Sequence, residues 1–170
     1  MSAQSPQLLP RFRLADERDW PLIWPVFQPI VAAGDTFAYD PATSYEQGRG
    51  TWLAAAPDQT WLAVVDDAVL GTYKCGPNRL GAGSHVGTAS FMVAAAARGH
   101  GIGGAMVGHC IQRLSQAGYR GVQFNAVAAS NVHAVRLYEQ FGFATVGAVP
   151  GGFRHPQQGF VDLLIMYRDL

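Results

Sequence analysis

Apolar residues in this chain come in short runs broken by glycine, proline and aspartate, and their spacing changes along its length. Trp61-Leu62-Ala63-Val64-Val65 and Val69-Leu70-Gly71-Thr72-Tyr73-Lys74 flank Asp66-Asp67, which predicts two strands joined as a hairpin. His85 to Val93 reads as a central strand with an irregular start at Gly87. Beyond it the period lengthens: Ile102, Met106, Cys110, Ile111 and Leu114 fall near helical spacing, and Gly118 is placed to end that helix. Val122 to Val127 is a further strand, and Asn131 to Phe141 a second well-marked helix closed by Gly142. Phe143 to Val149 and Phe160 to Tyr167 are expected as final strands, separated by a Gly/Pro loop.

The first third is less regular. Arg11-Phe12-Arg13-Leu14 reads as a first strand after a disordered leader, residues 1–10, with one domain over 11–170. Asp16 or Asp19 can cap the next helix, whose first turn tolerates Pro21, whereas Pro25 and Pro29 predict a short or kinked helix. Thr43 or Ser44 can cap another, running towards Ala55 and weakened by Gly48 and Gly50. No repeat or linker interrupts the pattern, so the expectation is a single α/β domain of the α+β type. Its central sheet is mixed, mostly antiparallel and flanked by helices.

Composition narrows the function classes. With 12 basic and 12 acidic residues the net charge is zero, which argues against a general binder of nucleic acid or anionic membrane. No apolar segment is long enough to cross a bilayer and no signal peptide is visible at the start. Cys75 and Cys110 stand far apart and outside metal-ligand spacing, so free thiols, a reducing cytoplasm and no metal are expected. The placement of charge says more than its sum. From Ala68 through Tyr138 there is no Asp or Glu, while Lys74, Arg79, Arg98, Arg113, Arg120 and Arg136 fall in that stretch. A middle of that character suits an anionic ligand.

The candidate chemistry sits in Arg98-Gly99-His100-Gly101-Ile102-Gly103-Gly104, between a strand and a helix. Glycines let the backbone come close to a ligand, and the helix start offers unpaired N–H groups to a phosphate. A Walker loop is ruled out because no Gly-Lys-Ser/Thr follows. Gly99, Gly101 and Gly104 match G-x-G-x-x-G in letters, but a Rossmann site wants an acidic residue about twenty positions later, where none occurs.

Arg98-x-x-Gly101-x-Gly103 resembles the R/Q-x-x-G-x-G/A motif of the GCN5-related N-acetyltransferase superfamily. Asn131-Val132-His133-Ala134-Val135-Arg136-Leu137-Tyr138-Glu139-Gln140-Phe141-Gly142-Phe143 is similar to its N-x-x-A-x-x-L-Y-x-x-x-G-F segment. The resemblance implies acetyl-CoA as cosubstrate, with residues 98–104 on its pyrophosphate. Met92 and Val93 would offer backbone groups to pantetheine, and Asn131 would both cap its helix and bond the cofactor. A strand N–H at Val93 would stabilise the tetrahedral oxyanion. Tyr138 would be the general acid that protonates the departing thiolate.

The general base is open. The central strand offers only His85; otherwise it is Asp35, Asp40, Glu46, Asp162 or water. Asn125, polar within an apolar strand, is a candidate for orienting the acceptor. Gly34-Asp35-Thr36-Phe37-Ala38-Tyr39 and Gly152-Phe153-Arg154-His155-Pro156 are similar to a subgroup acting on amino-acid analogues such as azetidine-2-carboxylate. Direct acetyl transfer to a small, amino-acid-like amine is therefore expected, with a homodimer left open. A protein N-terminus or lysine as acceptor, or a non-catalytic acyl-CoA sensor, are the alternatives.

Overall fold

The computed structural model describes residues 8–53 and 55–170. The chain folds as β1 (Arg11–Leu14), α1 (Trp20–Ala33), α2 (Tyr45–Trp52), β2 (Gln59–Val65), β3 (Ala68–Pro77), β4 (Val86–Val93) and α3 (Ile102–Gln116). It continues as β5 (Gly121–Ala128), α4 (Val132–Gln140), β6 (Ala144–His155) and β7 (Gly159–Asp169). Seven strands form one sheet in the order β1-β2-β3-β4-β5-β7-β6. Every pairing is antiparallel except β4 with β5. This is the expected mixed, mostly antiparallel sheet.

Two apolar clusters cover its faces. Trp20, Ile23, Phe27 and Val31 of α1 pack with Trp52, Leu62 and Met92 on one side. Ile102, Met106, Cys110 and Leu114 of α3 pack with Tyr73, Val122, Phe124 and Met166 on the other. The helical period at residues 102–114 is thus the face α3 turns to the sheet. Cys75 and Cys110, distant in sequence, both lie in this cluster as buried free thiols.

The hairpin forms as expected, with Asp66 and Asp67 both at positive φ, 46° and 63°, as a two-residue primed turn requires. Asp16 caps the single turn, residues 17–19, that leads into α1, accepting from the Arg18 N–H, and Asp19 stands at the α1 N-cap without a side-chain cap bond. Asp19 is buried and accepts two bonds from the Arg13 guanidinium, at 2.7 and 2.8 Å. That bond is the main cause holding its carboxyl below the usual carboxylate range, and it ties β1 to the start of α1.

Helix α1 departs from expectation by running 14 residues through Pro25 and Pro29. Each proline removes a bond to the carbonyl four residues earlier. Here those carbonyls belong to Pro21 and Pro25, and all three prolines are exposed, so water can take the freed groups. Ser44 caps α2 in a reciprocal pair with Gln47. Gly48 lets α2 approach α1, because a Cβ there would meet Phe27 at 2.9 Å and Trp24 at 3.0 Å. Packing thus offsets the weak helix propensity of α2.

The expected Gly/Pro loop before the last strand is absent. β6 continues through Pro150-Gly151-Gly152 as a bulged stretch, its register against β7 shifting between Val149 and Phe153. The reversal lies further on, at Pro156–Gln158. Of the expected leader, residues 1–7 lie outside the described residues, and Leu8 donates its N–H to the His100 carbonyl at 3.0 Å.

Candidate functional site

The site is opened by a failure of pairing. β4 and β5 are in register only at Val86–Gly121 and Gly87–Val122, after which the two parallel strands separate. The gap bares one edge of β4 from Thr88 to Val93, and the ladder on its other edge fixes which groups face it. Ala94 donates to the Leu70 carbonyl at 2.9 Å, and β3–β4 partners continue without a shift through Met92–Thr72 and Val93–Gly71. Antiparallel pairs alternate between bonded and non-bonded. Met92 therefore turns its N–H and C=O to β3, while Phe91 and Val93 turn theirs into the gap. The Met92 side chain is buried in the core beneath α1.

The gap widens into a cleft with two lobes. One, of about 690 Å³, is bounded by Met92, Val93, Arg98, Gly99, Gly101 to Gly103, Ser130, Asn131, His133, Asp35 and His155. The other, of about 370 Å³, is bounded by Thr36 to Tyr39, Thr88 to Phe91, Phe124 to Ala128, Ala134 and Tyr138. Phe37, Phe91, Val93, Gly103 and Asn131 border both, so the lobes meet beside Val93.

At the end of the larger lobe, buried Ala97 and Ile102 anchor the glycine loop in the core. Gly99 and Gly101 take φ of +80° and +83°, where L side chains are strained. Gly101 is the N-cap of α3, and helical bonding starts with Ala105 donating to its carbonyl. The first-turn N–H groups have no intrahelical partner and point out of the helix end, beside exposed Arg98. The backbone of this turn, the helix dipole and Arg98 make a place for a diphosphate. His100 is half-buried and Gly104 opens α3 against Leu137.

At the junction, α4 brings two residues to the cleft. Asn131 is its N-cap, accepting from the Ala134 N–H at 3.2 Å. Tyr138, two turns on, stands among Phe91, Phe124 and Phe143 at ring distances of 6.2, 4.5 and 6.0 Å. Burial pushes its phenol above the ordinary value of 10, with the Cys110 charge a lesser cause. Tyr138 is thus held protonated at neutral pH while bordering the smaller lobe.

The smaller lobe carries polar groups but little charge. Between Phe124 and Val127 the β5–β7 register shifts, and this bulge turns Asn125 to the smaller lobe. Its amide accepts from Gln123 at 2.9 Å and donates to the Asn78 side chain at 2.6 Å, bridging β5 to the loop after β3. His85 is exposed and borders neither lobe. Asp40 accepts from the Ala42 N–H, Glu46 lies 3.4 Å from Arg49, and Asp162 accepts from the Gly151 N–H. Among the described residues, Asp35 is the one acidic residue on either lobe.

Cys75 and Cys110 border neither lobe. The six cations of the middle segment do not gather at the cleft either. Arg98 borders the larger lobe, whereas Lys74 lies over Trp52 and Arg113 over Trp61. His155 and Ser130 also border the larger lobe, and the sequence points to neither beyond the resemblance of residues 152–156.

Residues 20–143 match the acetyltransferase (GNAT) family. The chain belongs to the GCN5-related N-acetyltransferases. A GCN5-related N-acetyltransferase from Kribbella flavida is 46% identical with a TM-score of 0.90, over 94% of this chain and 97% of that one. The N-acetyltransferase aca1 of Schizosaccharomyces pombe is 29% identical over 99 residues, 58% of this chain and 47% of the relative. This chain thus spans about half the length of that curated relative. A phosphinothricin acetyltransferase from Sinorhizobium meliloti, solved with acetyl-CoA, shares the fold at a TM-score of 0.84 and 19% identity, over 96% of this chain and 89% of that one. That family is one of acetyltransferases.

Proposed function

We propose that this GNAT protein moves an acetyl group from acetyl-CoA directly to the amine of a small, amino-acid-like acceptor. The observation that carries the reading is the split cleft. A diphosphate cradle ends one lobe, the free Val93 backbone edge stands at the junction, and Tyr138 borders a confined second lobe. Pantetheine would lie along the open edge of β4 as an added strand would, bringing the thioester to the junction. The Val93 N–H would bond the acetyl oxygen, more strongly as it becomes an oxyanion. Asn131 and the loop from Arg98 to Gly104 would hold the rest of the cofactor.

The amine attacks as the free base, so an ammonium must first lose a proton. Asp35, or water ordered by Thr36, Thr88, Ser90 and Asn125, would take it. The amine nitrogen then bonds to the acetyl carbon and passes its excess proton to water, the tetrahedral intermediate collapses, and the CoA sulfur leaves with its pair and takes the Tyr138 proton, which water returns to the phenolate. Burial of Cys75 and Cys110 away from the cleft favours this direct route over an acetyl-cysteine. Two free thiols also suit a reducing cytoplasm. Among the described residues no helix is long and apolar enough to cross a membrane.

A second copy of the chain would cover β6. This edge strand carries no charge from Ala144 to Phe153 and leaves Val146 at 62% and, on β7, Phe160 at 75% exposure. Equilibrium sedimentation reads that directly, and a monomer at every concentration would remove the dimer.

The activity is tested by thiol release from acetyl-CoA across amines, amino acids and short peptides. Release with small amino-acid-like amines above the peptides is the expected result. Turnover of peptide N-termini or lysines alone would assign the acceptor to protein, and no release with any amine would leave an acyl-CoA sensor.

A further inference from the structure

Leu8, ahead of β1, donates its backbone N–H to the His100 carbonyl at 3.0 Å, and its side chain packs against the core cluster of α3. Further along the leader, Phe12 of β1 stacks on His109 of α3, with ring centroids 4.1 Å apart and planes 9° apart. His109 is held in turn by its Nδ1 bond with the Tyr73 hydroxyl at 2.6 Å. The start of the chain is thus fixed to α3 at two places, at the glycine loop and about two turns into the helix. An extended chain from Leu8 to Phe12 reaches at most about 14 Å, and His100 to His109 rises roughly 13 Å at helical pitch. The segment therefore crosses with little slack.

What the first anchor does follows from the peptide bond. The His100 carbonyl and the Gly101 N–H belong to one planar trans unit, in which C=O and N–H point in opposite directions. Leu8 draws the carbonyl towards the core cluster and does not border the larger lobe, whereas Gly101 does. The bond therefore turns the Gly101 N–H away from Leu8, towards the lobe and its diphosphate cradle. Gly101 has no Cβ and places few steric limits on rotation of this unit, so an outside partner is what fixes its direction.

We propose that Leu8 is a positioning residue for acetyl-CoA, its amide pinning the His100–Gly101 peptide so that the Gly101 N–H meets a pyrophosphate oxygen. This rests on the acetyl-transfer reading and deepens it: the leader is part of the cofactor site. Acyl donors that carry the diphosphate depend on Leu8, and those that lack it do not.

The test measures the acetyl-CoA dissociation constant by calorimetry, and kcat and KM with acetyl-CoA and with S-acetylpantetheine. It compares wild type, Leu8→Pro, Leu8→Ala and a chain lacking residues 2–8. Proline has no N–H to give. Leu8→Pro and the truncation should each raise the acetyl-CoA dissociation constant and KM about tenfold, as for one misdirected charge-assisted bond, with kcat at saturation little changed. KM for S-acetylpantetheine, which has no diphosphate, should stay within about twofold. Leu8→Ala keeps the N–H and should recover most of the acetyl-CoA affinity. Hydrogen exchange of the wild-type chain reads the bond whether or not the variants fold: the Leu8 amide should be protected, and more so with CoA bound, because the coupling is reciprocal.

An unprotected Leu8 amide, equal losses with both acyl donors, or full acetyl-CoA affinity in folded Leu8→Pro would each overturn the assignment. All three leave acetyl transfer standing. Wild-type protein that neither binds acetyl-CoA nor turns over with any amine refutes both.

Discussion

Tyr138→Phe removes one oxygen and leaves the ring, so it separates chemistry from packing. The contacts with Phe91, Phe124 and Phe143 are made by the ring and persist in the variant. Stability should therefore hold, with the melting temperature moving by no more than a degree or two, as for a change under about 0.5 kcal/mol. The loss falls on the leaving group. General acids contribute about a hundredfold to ten-thousandfold, and a thiolate, a stable leaving group, asks for the lower end. We expect kcat to fall about a hundredfold, or about 2.7 kcal/mol on the barrier. Acetyl-CoA affinity should change little.

The pH dependence of Tyr138 has a definite sign. Burial raises its phenol above 10, so the acid stays loaded through neutral pH and its deprotonation limb lies on the alkaline side of 10. Below that limb, wild type and Tyr138→Phe should give kcat profiles of the same shape at different heights. The assay is CoA thiol release followed with a chromogenic disulfide, with saturating acetyl-CoA and the best acceptor of the screen. A folded Tyr138→Phe with kcat within about threefold of wild type would refute the reasoning and make Tyr138 a wall of the cleft.

Acetyl-CoA should raise the melting temperature by mass action, and far more than NAD or ATP. Gly101→Val should abolish most of that shift, because a β-branched residue is strained at φ of +83° and obstructs close backbone approach; a folded variant with full acetyl-CoA affinity would remove the loop from the mechanism. His85→Ala should lower kcat/KM by less than about threefold, since His85 is exposed and borders neither lobe. A limb near the ordinary histidine pKa that stays fixed for two acceptors of different basicity and vanishes in His85→Ala would identify His85 as the base.

Features set by neighbours in the chain were readable in the sequence. The α3 face, the Asp66-Asp67 turn and the glycine loop each rest on a local rule of period, positive φ or helix start, and each formed where expected. The errors came where a local rule met a tertiary circumstance. Pro25 and Pro29 argue against a long helix only if the freed carbonyls are buried, and which face of α1 meets water is decided by the sheet beneath it. Pro150-Gly151-Gly152 signals a loop, yet β7 continues beside it and the strand absorbs the irregularity as a bulge.

The site shows the same division more sharply. Arg98, Gly99, Gly101 to Gly103, Asn131 and Tyr138 lie on local motifs, and all border one cleft. The backbone donor is different, because the side chains of Met92 and Val93 are both apolar and carry no sign of which amide is free. The ladder decides it: one bond, Ala94 to Leu70, sets the alternation that turns Val93 outward and Met92 inward. Asp35 is one of four carboxylates the sequence leaves open as the base, and only the fold brings it, with His155, to the larger lobe. On the proposed reading, a helix turn and a hairpin tip far apart in the chain supply the acceptor side, while one continuous strand-loop-helix supplies the cofactor side. Acceptor choice could therefore change through the turn after α1 and the β6–β7 tip while the strand edge and glycine loop that receive acetyl-CoA stay as they are.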